Sequence, residues 1–113
     1  MTRLAPLALL LALVLAACGS SSGSSKPTAA PGGRIEMKNI AFSPQNATVR
    51  VGQKVTWTNE DAVDHNVTAS DGSFKSSDFG QNGTFSFTPK KAGTYRYTCT
   101  LHPGMDGTLT VTG

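Results

Sequence analysis

Gly93-Thr-Tyr-Arg-Tyr-Thr-Cys99-Thr-Leu-His102-Pro-Gly-Met105 is the stretch that decides how this chain is read. Its first half sets Tyr95, Tyr97 and Cys99 on one face against Thr94, Arg96 and Thr98 on the other, the period of two of a half-buried strand. Its second half places a thiol, an imidazole and a thioether at three-residue steps. Side chains spaced in that way reach a common point only if the chain curls round it. Pro103 and Gly104 favour such a turn, proline by fixing φ and glycine by tolerating positive φ. The segment reads as a strand running into a metal-binding turn.

Outward from this segment the same pattern recurs. Candidate strands cover Arg34–Ala41, Ala47–Val51, Lys54–Asn59, His65–Ser70, Thr84–Thr88, Gly93–Thr100 and Gly107–Thr112, with Val55/Trp57 and Leu109/Val111 as inward-facing pairs. Turn signals at Val51-Gly52-Gln53, Asp71-Gly72, Gln81-Asn82-Gly83 and Pro89 through Gly93 separate them. No helical period of useful length is present. About seven short strands whose apolar faces must cover one another imply an all-β fold, a Greek-key sandwich or barrel. Trp57, Phe42, Phe74, Phe79, Phe85, Phe87, Tyr95 and Tyr97 read as packing for its core and strand faces.

With 113 residues the chain holds one domain. The formal net charge is +3, yet Arg3 and Lys26 lie outside residues 34–113, where eight Lys and Arg meet seven Asp and Glu, a net of +1. A nearly neutral domain without a basic cluster in its sequence is a poor nucleic-acid binder, and that class is set aside. A monomer is expected.

The N-terminus speaks to compartment. Leu4 to Ala17 is an apolar run of fourteen residues behind Arg3. At about 1.5 Å per residue it spans roughly 21 Å of helix, short of a bilayer core near 30 Å, so residues 1–17 read as a signal peptide. Leu15-Ala16-Ala17-Cys18 resembles the bacterial lipobox, which implies cleavage before Cys18, acylation of its thiol and anchorage of the protein to a membrane by lipid. A Cys18–Cys99 disulfide is the competing reading of two cysteines in an oxidising compartment. Residues 18–33, rich in Ser, Gly, Pro and Ala, read as an unpacked tether, and residues 34–113 as the domain.

If Cys18 is lipidated, Cys99 is the one thiol left, and it stands three residues from one of the chain's two histidines. The other, His65, opens the strand His65-Asn66-Val67. A thiolate, two imidazoles and a weak axial thioether form the donor set of blue-copper electron-transfer sites, where sulfur suits Cu(I) and nitrogen suits Cu(II). Structural zinc sites use Cys and His without a thioether.

At these two places, His65-Asn66-Val67 and Gly93 through Gly107, the chain resembles the cupredoxins, most closely the plastocyanin and amicyanin group. The short Cys-x-x-His-x-x-Met loop is similar to that of amicyanin. The resemblance implies a β-sandwich with one type 1 copper near one end. It places His65, Cys99 and His102 equatorially and Met105 axially. It implies that Asn66 hydrogen-bonds toward Thr100 and points its backbone N–H at the Cys99 sulfur. Electrons would pass through the edge of His102, flanked by Leu101 and Pro103, to transient redox partner proteins outside the cytoplasmic membrane, with no catalysis. Asp64 stands where such proteins often carry proline, and a carboxylate close to the copper would favour Cu(II). Gly104 replaces a bulkier residue of some relatives. The rival functions are a copper(I) carrier or storage module of the cell envelope and a metal-free, adhesion-like sandwich.

Overall fold

The computed structural model describes residues 28–113, so the segments assigned above to signal peptide, lipid anchor and most of the tether lie outside it. Nine strands follow in order: β1 (Thr28–Ala29), β2 (Arg34–Met37), β3 (Phe42–Ser43), β4 (Asn46–Arg50), β5 (Val55–Asn59), β6 (Thr68–Ala69), β7 (Thr84–Phe87), β8 (Gly93–Thr98) and β9 (Asp106–Thr112). They form two sheets, β1-β4-β9-β8-β6 and β3-β2-β5-β7, packed as an all-β sandwich. Three neighbouring pairs, β1 with β4, β2 with β5 and β4 with β9, run parallel, and the other pairs run antiparallel.

Three differences from the sequence reading have physical causes. Thr28–Gly33, read as tether, instead makes a two-residue strand on β4 and a 3-10 turn at Pro31–Gly33; Ala30 and Gly33 are buried although an alanine and a glycine give no periodic signal. The expected strand Arg34–Ala41 stops at Met37, because Asn39 and Ile40 take φ of 55° and 56° and turn the chain back into β3. Only Thr68–Ala69 of the expected strand His65–Ser70 lies in a ladder; His65 itself makes an isolated bridge to Phe79.

Alternation along the strands builds the core. In β5 Val55, Trp57 and Asn59 are buried while Thr56 and Thr58 face outward, and in β9 Gly107, Leu109 and Val111 do the same. Trp57 is the centre of an aromatic cluster, with ring centroids 5.5 Å from Phe74, 5.7 Å from Phe85 and 5.4 Å edge-on from Tyr97. Tyr97 presses on Gly107, where an added Cβ would lie 2.5 Å from the phenol oxygen. The glycine is required here for close approach.

Strand direction gives the sandwich two distinct ends. One gathers the end of β2, the start of β4, the end of β5, the start of β6, the end of β8 and the start of β9, together with the 99–105 turn. The other gathers the start of β2, the end of β4, the start of β5, the end of β7, the start of β8 and the end of β9.

Burial pushes the Tyr97 hydroxyl up to about 12 from an ordinary 10.0, only partly offset by the nearby Trp57 indole N–H. A raised value in the folded state is stability that is complete below pH 10 and lost as pH climbs toward 12. Tyr97→Phe should therefore flatten the alkaline limb of a pH-dependent thermal melt. Gly107→Ala should cost about 1–3 kcal/mol in denaturant unfolding through overpacking against the same ring.

Candidate metal centre

The first of these two ends collects every side chain singled out above as a metal donor. β8 delivers Cys99 just past its last ladder residue, and the turn after it is closed by backbone bonds from His102 N to Cys99 O (3.4 Å), Met105 N to His102 O (3.1 Å) and Cys99 N to Met105 O (2.9 Å). Gly104 sits in that turn at φ 89°, the conformation a glycine adopts without a Cβ penalty. His65 arrives from the other side, held by its bridge to Phe79 (3.1 and 2.9 Å). Cys99, His65 and Met105 are buried and His102 is half-buried.

The Nδ1 atoms of His65 and His102 are 3.2 Å apart, and each faces the Cys99 sulfur, at 3.7 and 3.6 Å. The point equidistant from the three corners of that triangle lies about 2 Å from each, which is metal–nitrogen and metal–sulfur bonding range. Hydrogen bonding supports the same reading. The Nε2 of His65 lies 2.8 Å from an oxygen of Asp61, and since a carboxylate only accepts, this nitrogen carries a hydrogen and Nδ1 is the atom turned to the site. Two imidazole nitrogens converging with a thiol form a donor set for one cation. Met105, buried in the same turn, adds a thioether.

Asn66 ties the two sides together. Its backbone N–H donates to the Cys99 sulfur at 3.4 Å. Its side-chain NH2 donates to Thr100 Oγ1 at 2.7 Å and Asp78 Oδ1 at 2.9 Å, and its carbonyl accepts from the Thr100 N–H at 3.0 Å and the Thr68 hydroxyl at 3.1 Å. Leu101 and Pro103 lie exposed beside His102.

Two residues that matter here escaped the sequence reading. The carboxylate that touches a metal-facing ring is Asp61, whereas Asp64 is exposed. Asp61 also accepts the backbone N–H groups of Asn39 (2.8 Å) and Ile40 (3.0 Å), the two residues at positive φ. For a β-branched residue such as Ile40 that conformation is strained, and the carboxylate offsets the strain while it orients His65. Asn59, fully buried, shapes the loop that presents Asp61. Its NH2 group donates to the carbonyls of Val63 (2.8 Å) and Phe79 (2.9 Å), and its oxygen accepts the Asp61 N–H (2.8 Å). Only a buried polar residue at the end of an alternating strand could have hinted at it.

A family model described as a cupredoxin-like domain matches residues 7–111. Amicyanin-alpha of Methylorubrum extorquens is 36% identical over 89 residues, 73% of this chain and 75% of that protein. Among solved structures, a purple cupredoxin from Nitrosopumilus maritimus superposes with a TM-score of 0.65 at 31% identity, covering 70% of this chain and 98% of that one. A reduced, Cu(I) form of an amicyanin variant superposes with a TM-score of 0.67 at 31% identity, covering 74% of this chain and 85% of that one.

Desolvation raises the Asp61 carboxyl, but hydrogen bonds from Ile40, His65 and Asn39 outweigh it and hold the group below its ordinary 3.8. A depressed value in the folded state is stability present above pH 3.8 and lost as pH falls through the folded value. In Asp61→Asn the acid limb of unfolding of the metal-free chain should flatten. Asp61→Ala should weaken metal binding roughly ten- to a hundredfold in a chelator-competition titration, the usual effect of removing a partner of a ligand histidine.

Proposed function

This chain belongs to the cupredoxin-like family and is a blue copper electron-transfer protein with one copper ion, and from that premise we propose that it shuttles single electrons between redox partners outside the cytoplasmic membrane. The observation that carries the reading is the triangle of His65 Nδ1, Cys99 Sγ and His102 Nδ1, sized to one metal ion. In this reading His65, Cys99, His102 and Met105 would hold the copper. Bound copper supplies a one-electron couple between Cu(I) and Cu(II).

The protein's part is to keep those donors fixed in both states. His65 is locked by Asp61, and Cys99 is held by the Asn66 N–H and the closed turn, so little rearrangement accompanies gain or loss of an electron. His102 is the donor that reaches solvent, beside Leu101, which is 44% exposed. A small apolar contact around that ring suits a brief encounter with a partner. The protein performs no catalysis of its own. Its site is also poorly built for handing copper on, since His65 is completely buried and doubly tied.

The Leu4–Ala17 run and Leu15-Ala16-Ala17-Cys18 support export and lipid attachment at Cys18, with the domain on the periplasmic or extracytoplasmic face. Thr28 follows ten residues later, giving a reach of at most about 35 Å from that anchor.

The full chain loaded with Cu(II) should show an intense thiolate-to-copper band in the red, absent in Cys99→Ser, and a reversible one-electron wave in voltammetry. A colourless copper complex, or rapid loss of Cu(I) to a chelator without a reversible wave, would replace this function by copper carriage.

A further inference from the structure

Charge is segregated along the sandwich. The end opposite the metal centre carries Arg34 at the start of β2, Arg50 at the end of β4, Lys54 before β5, and Lys90 and Lys91 between β7 and β8, all exposed. No carboxylate lies in those turns. Five of the seven carboxylates, Glu60, Asp61, Asp64, Asp78 and Asp106, sit in the loops and strand start of the metal end. Among the described residues no Lys or Arg is paired with a carboxylate, so none of the five cations is neutralised by a neighbour.

This end is also firmly built. Val51 N–H donates to Thr112 O and Gly52 N–H to Pro89 O, each at 2.8 Å, which fastens the Arg50–Lys54 turn to the ends of both sheets. At its tip Val51 is 40% exposed between the cations of Arg50 and Lys54. An apolar residue set among unpaired cations suits the headgroup layer of an anionic bilayer, where the cations meet phosphates and the valine meets the acyl boundary.

We propose that this cationic end is a docking surface for anionic lipid headgroups, and that it seats the domain with the metal centre turned away from the membrane. The proposal rests on the anchorage argued under Proposed function. A tether of at most about 35 Å keeps the five charges close to the bilayer, so weak attraction per charge becomes a strong orientational bias. Parallel pairing of β1 with β4 sets Thr28 beside Ala47, on the metal-end side of the sandwich, and a reach of about 35 Å is long enough to run back past the roughly 17 Å length of β4, so charge decides which end faces the bilayer. The acidic metal end is repelled by the same surface. His102 would then face soluble partners, and its orientation would depend on salt because exposed charges are screened within about 10 Å at 0.1 M.

The test is hydrogen exchange of the full, copper-loaded chain on vesicles of phosphatidylcholine alone and of phosphatidylcholine with phosphatidylglycerol. Protection of the backbone at 50–54 and 88–93 on the anionic vesicles, abolished by high salt, is expected. Lys90→Gln/Lys91→Gln and Arg50→Gln/Lys54→Gln should each weaken it, about fivefold per charge removed, with the copper band unchanged. Equal exchange on both vesicles, protection of the metal-end loops instead, or protection by soluble polyglutamate but not by anionic vesicles would each overturn the proposal, the last assigning the end to an acidic protein. Flotation separates the anchor from the docking: a chain that leaves neutral vesicles yet is captured by anionic ones with this protection pattern lacks the anchor and still docks.

Discussion

The site stands or falls on the buried amide of Asn66. One residue joins the loop that carries His65 to the turn that carries Cys99, through four side-chain hydrogen bonds and one from its backbone to the sulfur. Each such bond contributes on the order of 1 kcal/mol net, but a missing partner would strand a buried polar group at greater cost. The network therefore has one low-energy arrangement. Donors from segments more than thirty residues apart can meet within a few tenths of an ångström because neither loop can slide against the other.

Asp61 extends the same logic outward. Its carboxylate is shared between the outer nitrogen of His65 and two amides of a strained turn, so the orientation of a buried imidazole depends on the 38–41 turn across the sheet. Asn39 and Ile40 hold backbone angles they would not choose alone. The strain is tolerated where it serves a functional group, and the two residues point paired N–H groups at one anion.

These relations show what can be read from a sequence and what cannot. The thiol, imidazole and thioether of residues 99–105 lie in one short segment, and local turn chemistry brings them together, so their spacing is enough. His65 was legible because the chain has only two histidines and a resemblance supplied its partner. The sandwich was legible from period-two alternation in β5, β8 and β9. Asp61 was not, since its importance comes from contacts with residues 21 and 22 positions earlier in the chain, and a carboxylate in a loop otherwise reads as solvated. Asp64, adjacent to the histidine in sequence, drew attention that belonged to a residue one helical turn's distance away. The β1 strand was hidden because Thr28-Ala29-Ala30 offers small side chains and no alternation, and its pairing is specified by β4 rather than by itself.

Core packing completes the argument, because it fixes the strand that feeds the thiol. Tyr97 is 1% exposed, wedged between Trp57 and the bare backbone of Gly107, and pairs with Gly107 across the β8–β9 ladder. A larger residue at 107 would lift the ring and with it β8. Cys99 lies two residues further along that strand, on the same face by the period of two. The position of the sulfur is thus set by a glycine and a tyrosine that have no metal chemistry, and by an indole in the opposite sheet. Rigidity at the metal end is inherited from the middle of the sandwich, so a substitution that loosens the aromatic cluster would reach the copper through the backbone of a single strand.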